Sequence, residues 1–441
     1  MLFDMKIRAA QLFTAVLLIA GVPLTSIPAE FQASSTVDEV REQINRLPTD
    51  NVWWSVTGPD MSWNSRNLQR FSPTAPVYRD GPVRELNYNL MPEIANYRVN
   101  TPSGPMKFAD FLDSDLSTSM GVVVVHKGKI VFEHYARMQP YEKPIIWSVS
   151  KVLVSSVVSI LEDRGLIDID QPIETYIPEM ATSAYAGTKV RNILDMASGI
   201  DCPEEYDDRT SCYNILMQAM GETFWDKNSP DNPYAYLATL KAERYAEQGT
   251  SFDYGSINTD ILGWMVEKVT GMPFTDALSS EIWMKAGMEA DASFVAPRFG
   301  VPHWDGGFLP RMRDLARFGM LYTPSYKVIS DKRIISAKHV EMLLNAGRPE
   351  LLQNARWQGW KQYTHEADHV KHNVYQWDLI WDNGDIYKGG WAGQGLLVNP
   401  KRDLVAVYTG YFKDDDYSEL SVLPRLRDVL NGVFGKENRP H

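Results

Sequence analysis

Strand-forming sequence lies near both ends of this chain, and helix-forming sequence fills the long stretch between them. The β-branched runs 121–125 and 130–133 flank a short polar turn, which predicts a hairpin. From 148 onward apolar residues recur at helical spacing, and 420–434 predicts a closing amphipathic helix. Strand patterns return only near the C-terminus, over 387–391, 395–399 and 404–411. This order predicts an α/β (α+β) fold, with an antiparallel sheet built from both chain ends, flanked by helices, and a mostly helical inserted lobe.

The same pattern predicts how the chain is divided. We expect a signal peptide over 1–33, an N-terminal wrapping segment over 34–110, a sheet lobe made of 111–147 and 375–441, and a mostly helical lobe over 148–374. A cleft between the two lobes is the expected place for a functional site, because binding sites form preferentially where such units meet.

The N-terminus resembles an export signal. Lys6 and Arg8 precede an apolar stretch over 12–22, and Pro23 and small residues follow. The stretch is shorter than the roughly 20 residues that span a bilayer. We therefore expect a cleaved signal peptide and a periplasmic or secreted protein, with an uncleaved N-terminal anchor as the alternative.

The charge balance limits the kinds of partner. The chain has 441 residues, with 44 Lys and Arg against 56 Asp and Glu, and its formal net charge is −12. This balance does not favour nucleic acid or an anionic membrane surface. We expect a small molecule or a short peptide as substrate, no nucleic acid, and no integral membrane span in the mature chain.

The two cysteines, Cys202 and Cys212, flank a short polar loop. In an oxidising compartment they can close one small disulfide, and two unpaired thiols are the alternative. A zinc site is disfavoured, because no second pair of Cys or His lies nearby in the sequence.

Residues 147–151 read Trp-Ser-Val-Ser-Lys and contain an S-x-x-K motif where the helical pattern begins. A helix starting at Ser148 or just after it places Ser148 and Lys151 on one face, so the amine can orient or deprotonate the hydroxyl. The start of the helix also favours a developing oxyanion. The alternative is a serine that caps the helix beside a surface lysine.

Two further turn-rich stretches can complete a site. Tyr254 stands in the sequence Gly-Thr-Ser-Phe-Asp-Tyr-Gly-Ser of residues 249–256, and near a protonated lysine its pKa would fall, which suits a proton shuttle. Residues 388–395 read Lys-Gly-Gly-Trp-Ala-Gly-Gln-Gly within a predicted strand pair. Glycines inside a strand indicate close approach by another backbone or a ligand. A packing tyrosine and a tight hairpin without function are the alternatives.

These three stretches, in this order, resemble the S-x-x-K, Y-x-N and K-T-G boxes of the penicillin-recognising serine hydrolases. The chain looks most similar to the class C β-lactamase-like branch, which also holds carboxylesterases and 6-aminohexanoate-dimer hydrolase. The resemblance covers roughly 115–432 and includes three supporting stretches, at 166–172, 190–199 and 313–319.

The resemblance implies roles for individual residues. Ser148 matches the nucleophile, Lys151 its partner and Tyr254 the acid/base tyrosine, while the backbone N–H groups of Ser148 and Trp391 match the oxyanion hole. Tyr206 resembles a tyrosine that contacts the substrate amide in nylon-oligomer hydrolases. The remaining substrate-binding residues implied are Ser256, Lys388, Gly389 and Gly390.

Two departures from the family boxes bear on the substrate. Ser256 stands where β-lactamases place Asn, and Gly389 stands where they place Thr or Ser. Two hydrogen-bonding groups for a β-lactam are therefore missing, and efficient antibiotic hydrolysis is not expected.

Other readings predict a different chemistry. His365, Glu366 and His369 form a literal H-E-x-x-H, the zinc signature of a metalloprotease helix, but its flanks lack the apolar stripe of a buried helix. A non-catalytic binding protein on the β-lactamase fold is the other alternative. An α/β-hydrolase is disfavoured, since the chain has no G-x-S-x-G elbow.

The preferred prediction is an exported serine hydrolase without cofactor or metal. It cleaves an ester or amide bond through an acyl-enzyme on Ser148.

Overall fold

Antiparallel strands from both ends of the chain form the central sheet of the structure, a computed structural model that describes residues 31–48, 53–206, 208–223, 225–364, 369–414 and 422–435. In chain order the strands are β1 Thr74–Val77, β2 Arg98–Val99, β3 Met106–Lys107, β4 Gly121–His126, β5 Lys129–His134, β6 Ala292–Val295, β7 Phe308–Leu309, β8 Val370–Val374, β9 Trp377–Trp381, β10 Ile386–Gly390, β11 Gln394–Asn399 and β12 Leu404–Thr409. The seven-stranded sheet has the order β5-β4-β12-β11-β10-β9-β8. The predicted sheet from both chain ends is confirmed.

The α-helices surround this sheet and fill the middle of the chain. They are α1 Val37–Arg46, α2 Gly58–Asn67, α3 Pro92–Asn96, α4 Phe108–Asp113, α5 Lys151–Asp163, α6 Val190–Leu194, α7 Cys212–Met220, α8 Pro233–Thr239, α9 Ile257–Thr270, α10 Phe274–Glu281, α11 Met312–Met320, α12 Tyr326–Ile329, α13 Ala337–Asn345, α14 Pro349–Gln353 and α15 Val422–Phe434. Within the described part of the chain, no helix has the length and apolar character needed to cross a membrane.

Both faces of the central sheet are buried, which explains the uninterrupted valines of β4. Side chains alternate along a strand, so Val123 and Val125 face a core shared with α5 and α9. Val122 and Val124 face a second core that includes Leu426 of α15. A strand covered on both sides needs apolar residues at every position.

Strands β8 and β9 are absent from the sequence prediction, in which the sheet lobe resumes at 375. Their turn consists of Tyr375 and Gln376, both with positive φ (49° and 66°), where a tight hairpin usually has Asn or Gly. Tertiary contacts hold it, because the Gln376 side chain donates to the carbonyl oxygens of Ile193 and Leu194 and accepts from Thr259. These tertiary contacts stabilise the turn in place of the Asn or Gly by which a hairpin turn is usually recognised in a sequence.

The segment 34–110 is also more regular than the wrapping segment expected from its weak periodicity. Thr36 and Glu39 form a capping box at the start of α1, each side chain binding the other's backbone N–H. Further along, β1 pairs antiparallel with β6 in a three-stranded sheet with β7. The four predicted divisions of the chain remain predictions.

Candidate active site

Ser148 lies in a 3₁₀ turn, Trp147–Ser150, that leads directly into α5. The prediction that a helix starts at Ser148 or just after it is confirmed. The turn is fixed to β7, because Ile146 N donates to Phe308 O (3.1 Å) and Phe308 N donates to Ser150 Oγ (3.1 Å). Trp147, next to Ser148, has φ 44°, in the left-handed region that costs a non-glycine residue energy. Surrounding contacts therefore hold Trp147, next to Ser148, in a backbone conformation that the isolated peptide would avoid.

Lys151 is completely buried beneath Ser148. Its Nζ lies 3.0 Å from Ser148 Oγ and 2.9 Å from the backbone oxygen of Asp305. The carboxylate oxygen Asp305 Oδ2 is 3.6 Å from the same nitrogen. Helical spacing brings the lysine under the serine, and the Asp305 contacts fix its position. The alternative of a surface lysine beside a capping serine is wrong.

Tyr254 approaches the serine from the loop before α9. Its hydroxyl accepts from Lys388 Nζ at 3.2 Å, and its side chain lines the same pocket as Ser148. The loop is held by backbone bonds from Phe252 N to Leu351 O (3.1 Å) and from Asp253 N to Met196 O (2.9 Å). Ser148, Lys151 and Tyr254 therefore meet at one point, although the tyrosine is far away in sequence.

The expected fall in the pKa of Tyr254 is wrong. Burial, followed by the nearby carboxylates Asp378 and Glu204, raises the pKa of Tyr254 well above its usual value. Burial disfavours the charged phenolate, and neighbouring negative charge disfavours it further. Tyr254 therefore keeps its proton in the resting site and is placed to donate it.

Asp378 is a site residue that the sequence analysis missed. Its carboxylate binds Lys388 Nζ and accepts a hydrogen bond from Gly389 N at 2.8 Å. Burial lowers the pKa of Lys388 to about 8, even though Asp378 acts in the opposite direction. An aspartate inside the apolar strand β9 is the signal that could have identified it, since a buried carboxylate needs a partner.

Gly390 allows β10 to pass close to the turn that carries Ser148. A Cβ at Gly390 would lie 2.6 Å from the backbone oxygen of Ile146, closer than such atoms pack. Trp391, the next residue, packs edge-on against Trp147 with ring centroids 5.1 Å apart. This is the close backbone approach expected from the glycines, and it brings residues 390–391 beside the serine, where an oxyanion hole is predicted.

Two cavities flank Ser148 and share Tyr206 and Trp391. The first, here called the inner pocket, encloses about 550 Å³ including adjoining solvent and is lined by Tyr213, Met217, Glu222, Ser256, His303 and Asp305 among others. The second, here called the acidic pocket, encloses about 820 Å³ on the same measure and is lined by Glu204, Asp253, Tyr254, Trp357, Tyr363 and Asp378 among others. Ser148 therefore stands between two spaces that differ in chemistry.

Buried charges at the inner pocket were not predicted from the sequence. His303 Nε2 lies 2.7 Å from Asp305 Oδ1, and His303 Nδ1 lies 3.4 Å from Glu222 Oε1. Burial alone would lower the pKa of His303, but these two carboxylates raise it well above its usual value. Burial alone would raise the pKa of Asp305, but His303 and Lys151 hold it well below its usual range. Burial, followed by the negative charge of Asp305, raises the pKa of Asp260 well above its usual value.

A disulfide between Cys202 and Cys212 closes the loop that carries Glu204 and Tyr206, so the unpaired-thiol alternative is wrong. Tyr206 Oη donates to Glu204 Oε2 (2.7 Å), and the backbone N–H of Ser256 donates to Glu204 Oε1 (2.6 Å). Glu204 thus joins this loop to the Tyr254 loop. Ser256 lines the inner pocket together with Asp305, and Lys388 contacts Tyr254 and Asp378. Substrate contacts by Tyr206, Ser256, Lys388, Gly389 and Gly390 remain predictions.

The H-E-x-x-H motif falls largely outside the described residues, since His365 and Glu366 are among 365–368. His369 directly precedes strand β8 and binds Asp382, with Nδ1 2.7 Å from Oδ2. Within the described ranges, no group of three His, Cys, Asp or Glu side chains is arranged to hold a metal ion.

Comparisons with known proteins identify the family and the fold of this chain. The profile of the family described as Beta-lactamase matches residues 107–417. The chain is 30% identical over 380 residues to 6-aminohexanoate-dimer hydrolase of Paenarthrobacter ureafaciens, covering 84% of this chain and 89% of that protein. It is 29% identical over 175 residues to esterase EstB of Burkholderia gladioli, covering 38% and 43% of the two chains.

Solved structures share the architecture. The structure of a putative 6-aminohexanoate-dimer hydrolase from Bacillus anthracis superposes with a TM-score of 0.72 at 22% identity, covering 90% of this chain and 99% of that one. At this identity the likeness shows the fold alone. Together with the family match and the relatives, it confirms the resemblance stated from the three boxes. The chain belongs to the Beta-lactamase family and is a hydrolase of that fold.

Proposed function

We propose that this protein is a serine hydrolase that cleaves an ester or amide bond through an acyl-enzyme on Ser148. The observation that carries the proposal is the 3.0 Å contact between Lys151 Nζ and Ser148 Oγ at the start of a buried helix. A serine hydroxyl needs an adjacent group that takes its proton. Lys151 is in contact with Ser148, and Tyr254 lies beside it in the acidic pocket.

The reaction follows from this geometry in two halves. Ser148 Oγ attacks the carbonyl carbon, and its proton passes through Lys151 and Tyr254 to the leaving atom, so that the first product departs as an alcohol or amine. The carbonyl oxygen carries the developing negative charge and is stabilised by the backbone N–H groups of Ser148 and Trp391. A water molecule then attacks the acyl-enzyme, releases the acid, and returns a proton to Ser148 Oγ.

Ester and amide substrates use the same nucleophile and oxyanion hole. The names of the relatives support both, since one is a 6-aminohexanoate-dimer hydrolase and another is an esterase. A β-lactam loses two hydrogen bonds through Ser256 and Gly389. The substrate classes are compared by measuring hydrolysis of p-nitrophenyl esters, 6-aminohexanoate dimer, D-Ala peptides and nitrocefin. We expect nitrocefin to be the poorest substrate.

The nucleophile is tested by labelling. A fluorophosphonate probe should modify Ser148 in the native protein, as located by peptide mass spectrometry. Ser148→Ala should abolish both labelling and turnover with the fold retained, because a serine-to-alanine change at a helix start typically costs only about 1 kcal/mol. Ser155→Ala, about two turns further along the chain in α5, is the matched control and should keep both.

The opposite results distinguish the alternatives. Turnover by purified Ser148→Ala would contradict the acyl-enzyme. Inactivation by EDTA with recovery on adding zinc would favour the metalloprotease reading. Absence of both labelling and turnover in the native protein would favour a non-catalytic binding protein.

We also propose that the protein is exported. The basic and apolar N-terminal pattern supports this, and so does the Cys202–Cys212 disulfide, a bond typical of oxidising compartments. The intact mass of the protein recovered from the periplasm or medium should lack the first residues of the chain. Recovery of the full-length chain only from the cytoplasm would contradict export.

A further inference from the structure

The acidic pocket lies on the side of Ser148 that receives the leaving group. Tyr254 lines the acidic pocket, whereas it is not among the residues lining the inner pocket. In the proposed reaction, on which this inference rests, Tyr254 delivers a proton to the leaving atom and must touch it. The fragment that departs therefore occupies the acidic pocket, and the acyl fragment occupies the inner pocket.

Carboxylates are the charged side chains that line the acidic pocket. Glu204, Asp253 and Asp378 line it, and no lysine or arginine lies among the described residues that do. Two lysines lie behind residues that line it, and both are fully buried. Lys388 is paired with Asp378, and Lys151 is paired with Asp305. The nearest arginine, Arg356, lies 2.7 Å from Asp201 and 3.6 Å from Asp253, so two carboxylates share its one charge.

Glu204 differs from the other two carboxylates of this pocket, because Asp378 and Asp253 each form an ion pair whereas Glu204 feels the charge of Lys388 only at longer range. Its two oxygens accept hydrogen bonds from neutral donors, the Tyr206 hydroxyl and the Ser256 backbone N–H. Within the described part of the chain, no Lys, Arg or His forms an ion pair with Glu204. A cationic group of a ligand would form an ion pair with the Glu204 carboxylate, whose position is fixed by these two hydrogen bonds.

Aromatic rings complete the walls of the acidic pocket. Tyr254 and Trp357 lie with ring centroids 5.1 Å apart, and Tyr206 and Tyr363 also line the space. The negative faces of such rings attract ammonium and guanidinium groups. Rings and carboxylates together form an environment suited to an organic cation and poorly suited to a carboxylate.

We propose that the natural substrate of this hydrolase releases a leaving fragment that carries an ammonium or guanidinium group, and that Glu204 selects it. A leaving fragment with a carboxylate is disfavoured, because Glu204 and Asp253 repel it and Lys388 is committed to Asp378. 6-Aminohexanoate dimer releases such a carboxylate fragment. This chain should therefore cleave that dimer less well than the corresponding amide of a diamine.

A matched ester series tests the charge preference. The 5-aminopentyl, pentyl and 4-carboxybutyl esters of butyric acid share one acyl group and differ only at the end of the leaving fragment. We expect kcat/KM to fall in that order, with the cationic ester at least about tenfold better than the anionic one at low salt, and with the difference reduced at high salt. Glu204→Gln should remove most of the difference. Glu205→Gln, an adjacent exposed carboxylate outside both pockets, is the control and should keep it.

Binding of the same esters to Ser148→Ala separates this inference from the proposed function. The charge order should appear in the dissociation constants even without turnover, and Glu204→Gln should remove it. Equal binding of the three esters, or tighter binding of the carboxylate, would overturn the inference even if the native protein hydrolyses all three. A preserved charge order in a protein that neither turns over nor reacts at Ser148 would support the pocket and overturn the hydrolase.

Discussion

At the scale of single residues, burial decides what each group in this site can do. Tyr254 and Lys388 are in contact, and burial raises the pKa of the tyrosine and lowers that of the lysine to about 8. Both shifts favour the neutral form, as expected for groups removed from water. In the proposed reaction, Tyr254 therefore begins as a proton donor, and Lys388 donates a hydrogen bond to the tyrosine oxygen as charge develops there.

The proton path through Lys151 and Tyr254 predicts strongly coupled mutations. Tyr254→Phe and Lys151→Ala should each reduce kcat by about 10²-fold or more, since Lys151 contacts Ser148, Tyr254 lies beside it and neither can replace the other. The double variant should be little worse than the worse single variant. Steady-state kinetics on the best panel substrate gives all four values of the cycle.

Two results would contradict the shared path. Losses that multiply in the double variant would mean that the residues act independently. Nearly full activity in Tyr254→Phe would mean that another group donates the proton to the leaving atom.

At the scale of elements, the site is assembled by a few local devices. The 3₁₀ turn before α5 carries Ser148, and Gly390 lets β10 approach that turn. Asp378 of β9 binds both the side chain of Lys388 and the backbone N–H of Gly389 in β10. These contacts between neighbouring strands hold Lys388 beneath Tyr254, and the Asp378 carboxylate acts to raise the pKa of Lys388.

Replacing Asp378 should therefore change the pH profile. The pKa of Lys388 is about 8, so Lys388 loses its positive charge as pH rises through that value. The stabilisation that this charge gives to the Tyr254 oxygen is lost with it. Asp378→Asn removes the negative charge that raises the pKa of Lys388, so the alkaline decline of kcat/KM should move to lower pH. Asp382→Asn, an exposed carboxylate near the end of the same strand, should leave the profile unchanged.

The measurement is kcat/KM across neutral and alkaline pH, with thermal unfolding as a check that the variant is folded. An alkaline decline at the same pH in Asp378→Asn and in the native protein would contradict the assignment of this decline to Lys388.

At the scale of the whole molecule, the central sheet joins segments that are far apart in the chain. β12 pairs with β4 along its whole length, with Val405 opposite Val125. The stretch between them supplies helices α5 to α14, the Tyr254 loop and the disulfide-bonded loop that carries Glu204. Closing the sheet therefore brings β10 beside the Ser148 turn, and two pockets of different charge form on either side of the nucleophile.

The sequence by itself determined the features that depend on short separations. Local spacing predicts the hairpin at β4 and β5 and the helix that begins after Ser148. It also places the serine and lysine on one helical face and identifies the glycines that allow close approach. The order of the three boxes also identified the family and its antiparallel sheet. These features persist because neighbouring residues restrict one another whatever surrounds them.

Only the tertiary structure decided the partners and the protonation of the site. Sheet pairing and loop packing bring together residues that are distant or unrelated by any short sequence pattern. The pairs are Asp378 with Lys388, His303 with Asp305, and Glu204 with Ser256. The same holds for β8 and β9, whose turn depends on contacts of Gln376 with α6 and α9. The sign of the pKa shift of Tyr254 was reversed for this reason, since burial and distant carboxylates outweigh the nearby lysines once the chain has folded around it.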